Sequence, residues 1–201
     1  MTRGAAARNT LVLLWGVLLM SGRLYAADRQ LRPFVGATFG GATTFVDLED
    51  AAGNANLAVG VGAMFLGEVL GAEAEVADAP GFFEAGKNLV RSSRVTTITG
   101  NVVVAAPHRL TEYVLRPYFV GGAGLMRVKM TTLFGVFDTS TIKPEFDVGV
   151  GVVGFLTNKV GVCWDLRRFQ SVGGGSGETG LSFGNERLSF WRATMAVAIR
   201  Y

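Results

Sequence analysis

Read backwards from the last residue, every second position of WRATMAVAIRY (191–201) is apolar: Tyr201, Ile199, Val197, Met195, Ala193 and Trp191. Between them stand Arg200, Ala198, Ala196, Thr194 and Arg192, all small or charged. Successive side chains of a β-strand point to opposite faces, so this segment has one apolar face and one small or polar face. The same period of two recurs upstream. In LAVGVGAMF (57–65), Leu57, Val59, Val61, Ala63 and Phe65 oppose Ala58, Gly60, Gly62 and Met64. In FDVGVGVVGFL (146–156), Phe146, Val148, Val150 and Val152 oppose Asp147, Gly149 and Gly151. In VGVCWDLRRF (160–169), Val160, Val162, Trp164 and Leu166 oppose Gly161, Cys163, Asp165 and Arg167. These are strands by pattern, and no sustained helical period competes with them.

Four weaker segments fill the intervals: 32–41, 69–78, 95–106 and 115–128. In the third, Ile98, Val102 and Val104 oppose Thr97, Thr99 and Asn101; in the fourth the two faces are alike, and alternation assigns neither. Eight strands are therefore predicted. Their connections alternate in length. Residues 66–68 and 157–159 are tight and 107–114 moderate, whereas 42–56, 79–94, 129–144 and 170–188 are long and rich in Gly, Ser, Thr and charge. Short turns at one end and long loops at the other describe an up-and-down barrel.

Alternation alone does not distinguish a barrel in lipid from one in water, because a soluble barrel turns its apolar residues inward. The minor face decides. It is Gly, Ala, Thr and Asn with a few charges, too small and polar for a soluble core. Charged residues are 17% of the chain, against roughly 25% in soluble domains. With the apolar face outward, Val, Ile, Leu and Phe meet hydrocarbon, and Phe65, Trp164, Trp191 and Tyr201 form interfacial girdles. Backbone groups in hydrocarbon have no water to bond, so the sheet must close.

The N-terminus fits the same destination. Arg3 and Arg8 precede the run LVLLWGVLLM (11–20), and LYA ends at Ala26. This is the form of a secretory signal peptide, and the run is shorter than the roughly 20 residues of a permanent helical anchor. Cleavage after Ala26 is expected, leaving 27–201 as the barrel domain. Residues 1–26 contain Arg3, Arg8 and Arg23 and no acid, so the processed chain has 16 basic and 16 acidic residues. No basic field argues for nucleic acid. A single cysteine, Cys163, and a single histidine, His108, exclude a disulfide framework and cysteine- or histidine-built metal sites. No cofactor or metal is expected.

The leader, GAEAEVADAPGFF, RPYFVGGAGL, DVGVGVVGFLTNKVGVCWDLRRF and the terminal aromatic strand together resemble the small outer-membrane β-barrel domain family, the OmpA-like and OmpX-like eight-stranded proteins. The resemblance runs from about Leu31 to Tyr201. It implies an all-β, eight-stranded antiparallel transmembrane barrel in the cell outer membrane, preceded by a cleavable signal peptide, and a monomer is expected. It also implies that Tyr201 and the alternating Ile199, Val197 and Trp191 are read by the outer-membrane assembly machinery. The match departs where the chain stops at the barrel, without the peptidoglycan-binding domain of longer OmpA relatives.

The charges on the minor face are the candidate site. Glu73, Glu75, Asp147, Asp165, Arg167 and Arg192 would point into a bore just wide enough for side chains to fill. Unpaired charges are costly there, so they should pair across it. The result is a polar plug in a structural or interaction protein; the alternative is a narrow ion or solute path along the same charges. A lipid A-modifying enzyme is a third reading, but His108, its sole candidate base, falls in a short turn on the wrong side of the membrane. Glu73 and Glu75 lack a companion nucleophile for glycosidase chemistry. GSGETG (175–180) and GVGVVG (149–154) lack the strand–turn–helix context of a phosphate loop. Asp47, Glu49 and Asp50 do not match calcium-loop spacing. Phe82 and Phe83 should pack over the rim. Arg168, with Arg91, Arg94, Lys129 and Lys143 near the same rim, could contact lipopolysaccharide phosphate, and Cys163 fills space.

Overall fold

Strands whose two faces differ this sharply cannot leave an edge open in hydrocarbon, and the chain solves that by joining its first strand to its last. The computed structural model describes residues 28–43, 55–82, 90–107, 111, 115–132, 138–172 and 188–201. They form β1 (Asp28–Thr43), β2 (Asn56–Leu66), β3 (Leu70–Pro80), β4 (Val90–Ala105), β5 (Leu115–Thr132), β6 (Asp138–Phe155), β7 (Val160–Ser171) and β8 (Leu188–Arg200). Each strand pairs antiparallel with its neighbour in sequence, and β1 pairs with β8 to close an eight-stranded barrel. All eight predicted strands are present.

The period of two fixes which side chains face out. Leu57, Val59, Val61, Phe65, Val148, Val150, Trp164, Leu166, Met195, Val197 and Ile199 are all exposed on the outer surface. Between them Met64, Asp147, Cys163, Asp165, Arg167, Arg192, Ala196 and Ala198 are buried inside. The face left unassigned in 115–128 is now resolved. Leu115, Phe119 and Leu125 face out, while Arg116, Tyr118, Val120, Met126 and Val128 face in. Apart from Arg116 both sets are bulky and apolar, which is why alternation alone could not separate them.

Two seams need local devices. In the β1–β8 ladder the register shifts between Phe39, opposite Trp191, and Ala42, opposite Ser189, so β1 carries one residue more than its partner. Gly40 sits in this bulge at φ 58°, a left-handed conformation that only glycine adopts without penalty. At the short-turn end, Arg200 donates through Nε and Nη2 to the two Asp28 carboxylate oxygens, each at 2.7 Å, and its guanidinium lies over the Phe155 ring. Arg116 donates to the carbonyls of Ala106 and Gly67, each at 2.9 Å, and of Glu68, so one side chain ties two turns together.

The expected loop 129–144 is corrected. Register pairs continue from Leu115–Gly154 to Thr131–Asp138, so most of that stretch is ladder. Its paired residues are rich in Thr, Ser, Lys and Asp, which reads as loop by composition but suits a strand that continues past an apolar belt. Val90–Arg94, also expected in a loop, is likewise the start of β4. The acidic residues Asp47, Glu49 and Asp50, together with Phe83, His108 and the leader, lie outside the described residues.

Candidate functional site

The lumen has three layers. At the long-loop end Ala58, Ala79, Phe82, Val95, Met126, Val128, Phe169, Leu188 and Phe190 form one buried apolar cluster. Phe169 stacks on Phe190 with centroids 5.1 Å apart, and Phe82 meets Phe190 edge-on at 5.0 Å. Phe82 therefore packs inside the mouth rather than over the rim. At the short-turn end Met64, Leu66, Val103, Ala105, Val120, Val153, Ala196 and Ala198 belong to a second cluster, with Phe155 against it. Between the two lies the polar belt.

Arg167 is the hub. It is 1% exposed, and its Nη2 lies 2.8 Å from Glu73 and 3.2 Å from Asp165. Its Nη1 reaches Glu75 at 3.5 Å and Asp147 at 3.9 Å. Asn101, with its amide nitrogen donating to Asp147 at 2.9 Å, accepts from Arg167 at 3.1 Å through its carbonyl oxygen. Arg192 is paired with Glu75 and lies between two rings, 5.1 Å from the Phe34 centroid and 4.4 Å from that of Phe169. Every residue of the expected charge network is thus in the lumen and within one connected set.

Sequence reasoning missed two members. Arg32 of β1 lies 2.9 Å from Asp165 and 3.5 Å from Glu73, and it also donates to Tyr118 and Cys163. The Tyr118 hydroxyl donates to Asp165 at 2.8 Å. Arg32 could have been found, since Leu31, Val35 and Phe39 mark the outer face of β1 and put Arg32 opposite. Tyr118 lay in the strand whose faces look alike. Cys163, expected as a space-filling thiol, is buried and 3.0 Å from the Tyr118 oxygen.

This set can hold charge still more readily than it can move it. Three guanidinium groups (Arg32, Arg167, Arg192) share four carboxylates (Glu73, Glu75, Asp147, Asp165), so each acid has a cation partner. Glu145, one outward step from Asp147 on β6, is buried, and its two carboxylate oxygens have no hydrogen-bond partner among the described residues. The described residues hold no group of three or more His, Cys, Asp or Glu arranged for a metal.

The rim cations divide. Arg94, Lys129 and Arg168 face outward and are exposed, and Arg168 lies over the Trp191 ring at 5.4 Å. Lys143 does not belong with them. It faces into the barrel and is 2% exposed, because β6 extends past it and the alternation that buries Glu145 and Asp147 buries it too. The side chain of Arg91 lies outside the described residues. Of the expected girdle, Phe65 and Tyr201 are exposed at the short-turn end and Trp191 is half-buried toward the long-loop end; Trp164 is exposed four residues into β7.

The sequence matches the outer membrane protein beta-barrel domain family over residues 12–187. No curated protein sequence matches it significantly. Among solved structures, Neisserial surface protein A superposes with a TM-score of 0.61 at 12% identity, covering 88% of this chain and 98% of that one. The outer membrane protein OprG from Pseudomonas aeruginosa gives 0.56 at 11%, covering 88% and 96%. The N-terminal β-barrel domain of Pseudomonas aeruginosa OprF gives 0.51 at 12%, covering 87% and 98%. At these identities the likeness speaks for the fold alone.

Proposed function

The chain belongs to the outer-membrane β-barrel domain family, and on that premise we propose that it is a sealed, non-conducting barrel with a structural or interaction role at the cell surface. The observation that carries this reading is the layered lumen: an ionic belt, cross-linked through Arg167, between two buried apolar clusters. A conducting path needs waters or ions to replace those contacts one by one. Here the guanidinium of Arg167 is already engaged by four carboxylates, and the Phe82–Phe169–Phe190 cluster stands over it. Removing a charge from water into such an interior costs several kcal/mol, which a passing ion would meet twice. The reading assigns the chain no reaction. The signal peptide would direct export and be removed by cleavage after Ala26, and the assembly machinery would read the outward row ending in Ile199 and Tyr201.

Planar-bilayer recording tests the proposal. The purified barrel is expected to give no ohmic steps above the bare-bilayer background. The double substitution Phe82→Ala and Phe190→Ala, which opens the long-loop end but leaves the ionic belt, is expected to remain silent. Discrete steps from the unmodified protein would establish the channel reading in its place.

A further inference from the structure

On the outer surface near the long-loop end, β4 and β5 bring three cations together. Arg94 stands directly opposite Lys129 in the ladder, and Arg127 stands opposite Thr96, one diagonal step away. Directly opposed residues on one face have Cβ atoms roughly 5 Å apart, and like charges so placed destabilise a sheet. All three side chains are exposed, Arg94 to 58%. Among the described side chains the carboxylate on this face is Asp78, 3.4 Å from Arg94 Nε and also accepting from the Thr96 hydroxyl at 2.8 Å. It offsets one charge of three. Arg127 donates through Nε to Ser140 Oγ at 3.1 Å, which turns the guanidinium along the sheet surface rather than into open water.

The patch sits where the apolar surface ends. One outward step toward the short-turn end are Leu125 on β5 and, below Thr96, Ile98 on β4, both more than half exposed, and Ile142 stands opposite Arg127 on β6. The cations therefore rise directly from the hydrocarbon-facing belt, at headgroup depth. Guanidinium and ammonium groups on neighbouring ladder positions at that depth suit the oxygens of a phosphate, whose charge also relieves the repulsion between Arg94 and Lys129.

We propose that Arg94, Arg127 and Lys129 form a binding site for one phosphate of a phosphorylated outer-leaflet lipid, whose acyl chains lie against Ile98, Leu125 and Ile142. The site rests on the barrel's place in the outer membrane and is independent of whether its lumen conducts. It replaces the broader set of rim cations: Lys143 and Arg168 leave it, Arg91 lies outside the described side chains, and Arg127 joins it.

The test uses the full chain expressed in a Gram-negative host and purified from its outer membranes in detergent. Lipid retention is read by native mass spectrometry during titration with lipid A, its phosphate-free form, or inorganic phosphate. Lipid A is expected to bind at least about tenfold more tightly than the phosphate-free lipid. The triple variant R94Q/R127Q/K129Q should lose that margin while keeping the heat-modifiable gel migration of a folded barrel. Arg168→Gln, on β7, should keep the margin. Should the triple variant fail to fold, Arg127→Gln alone serves, with a severalfold loss expected. Equal binding of the two lipids, a margin that survives the triple variant, or one abolished by Arg168→Gln would overturn the site. Displacement of lipid A by inorganic phosphate at equal concentration would overturn the lipid as its ligand. Unfolded protein would show in the gel, and a conducting lumen in the bilayer recording, so neither can be mistaken for loss of this site.

Discussion

Arg167→Ala is expected to destabilise the barrel by about 3–5 kcal/mol, the usual consequence of removing one partner from a buried ion pair. The loss falls on the acids left behind. Glu73 and Asp165 lose their closest contacts to Arg167, at 2.8 and 3.2 Å, and Glu75 and Asp147 lose the same cation. Arg32 still reaches Glu73 and Asp165, and Arg192 still holds Glu75, so Asp147 is the acid most exposed to the change. A second substitution, Asp147→Asn in the Arg167→Ala background, should therefore recover part of the loss. Denaturant titration of the detergent-folded protein, read by tryptophan fluorescence, measures both. Arg94→Ala is the control. Its pairing with Asp78 is at the surface, where such pairs contribute about 0–1 kcal/mol. If Arg167→Ala costs no more than Arg94→Ala, the belt does not hold the barrel together.

The contrast between those two arginines also shows how much of the molecule could be read from its sequence. Arg167 was legible because β7 alternates regularly over 160–167: Trp164 and Leu166 out, Asp165 and Arg167 in. Once a strand's phase is known, every charge on its inner face is assigned to the lumen, and this placed the network's acids and two of its three arginines. Lys143 was misplaced for the opposite reason. Polar composition around it reads as loop, and the sequence has no separate signal for a strand that continues beyond the membrane, where alternation of hydrophobicity is no longer required. Tyr118 was missed because Tyr118, Val120, Met126 and Val128 on the inner face are as apolar as Leu115, Phe119 and Leu125 on the outer. The inner layers at both ends of the lumen are greasy, so β5, which contributes to both, carries no contrast. Pairwise geometry across the bore, such as Arg32 with Asp165, depends on shear between strands far apart in sequence, and no local pattern encodes it.

Gly124→Ala is expected to prevent the barrel from forming, although it adds a single methyl group. A Cβ at Gly124 would lie 2.0 Å from the Ile98 carbonyl oxygen and 2.8 Å from the Thr99 Cα, both backbone atoms of the neighbouring strand. No rotamer change relieves a contact with backbone. β4 and β5 must separate, and with them the ladder that runs from Val90–Thr132 to Ala105–Tyr118. The cost should exceed the roughly 1–3 kcal/mol of ordinary overpacking, where a side chain can yield. Gly36→Ala repeats the experiment at the closing seam, since a Cβ there would lie 2.1 Å from the Ala193 carbonyl oxygen on β8. Gly100→Ala supplies the counterpart. It pairs with Ala123 on the outer face, and a Cβ at this position meets nothing within 4 Å. Refolding into detergent micelles, with the folded fraction read by heat-modifiable migration, should give full yield for Gly100→Ala and little or none for the other two. Equal yields for all three would mean that the glycines of the inner face are there for composition alone. Failure confined to Gly36 and Gly124 would mean that glycine is required where strands coil tightly around a narrow bore, and that the lumen's long arginines depend on the room it leaves.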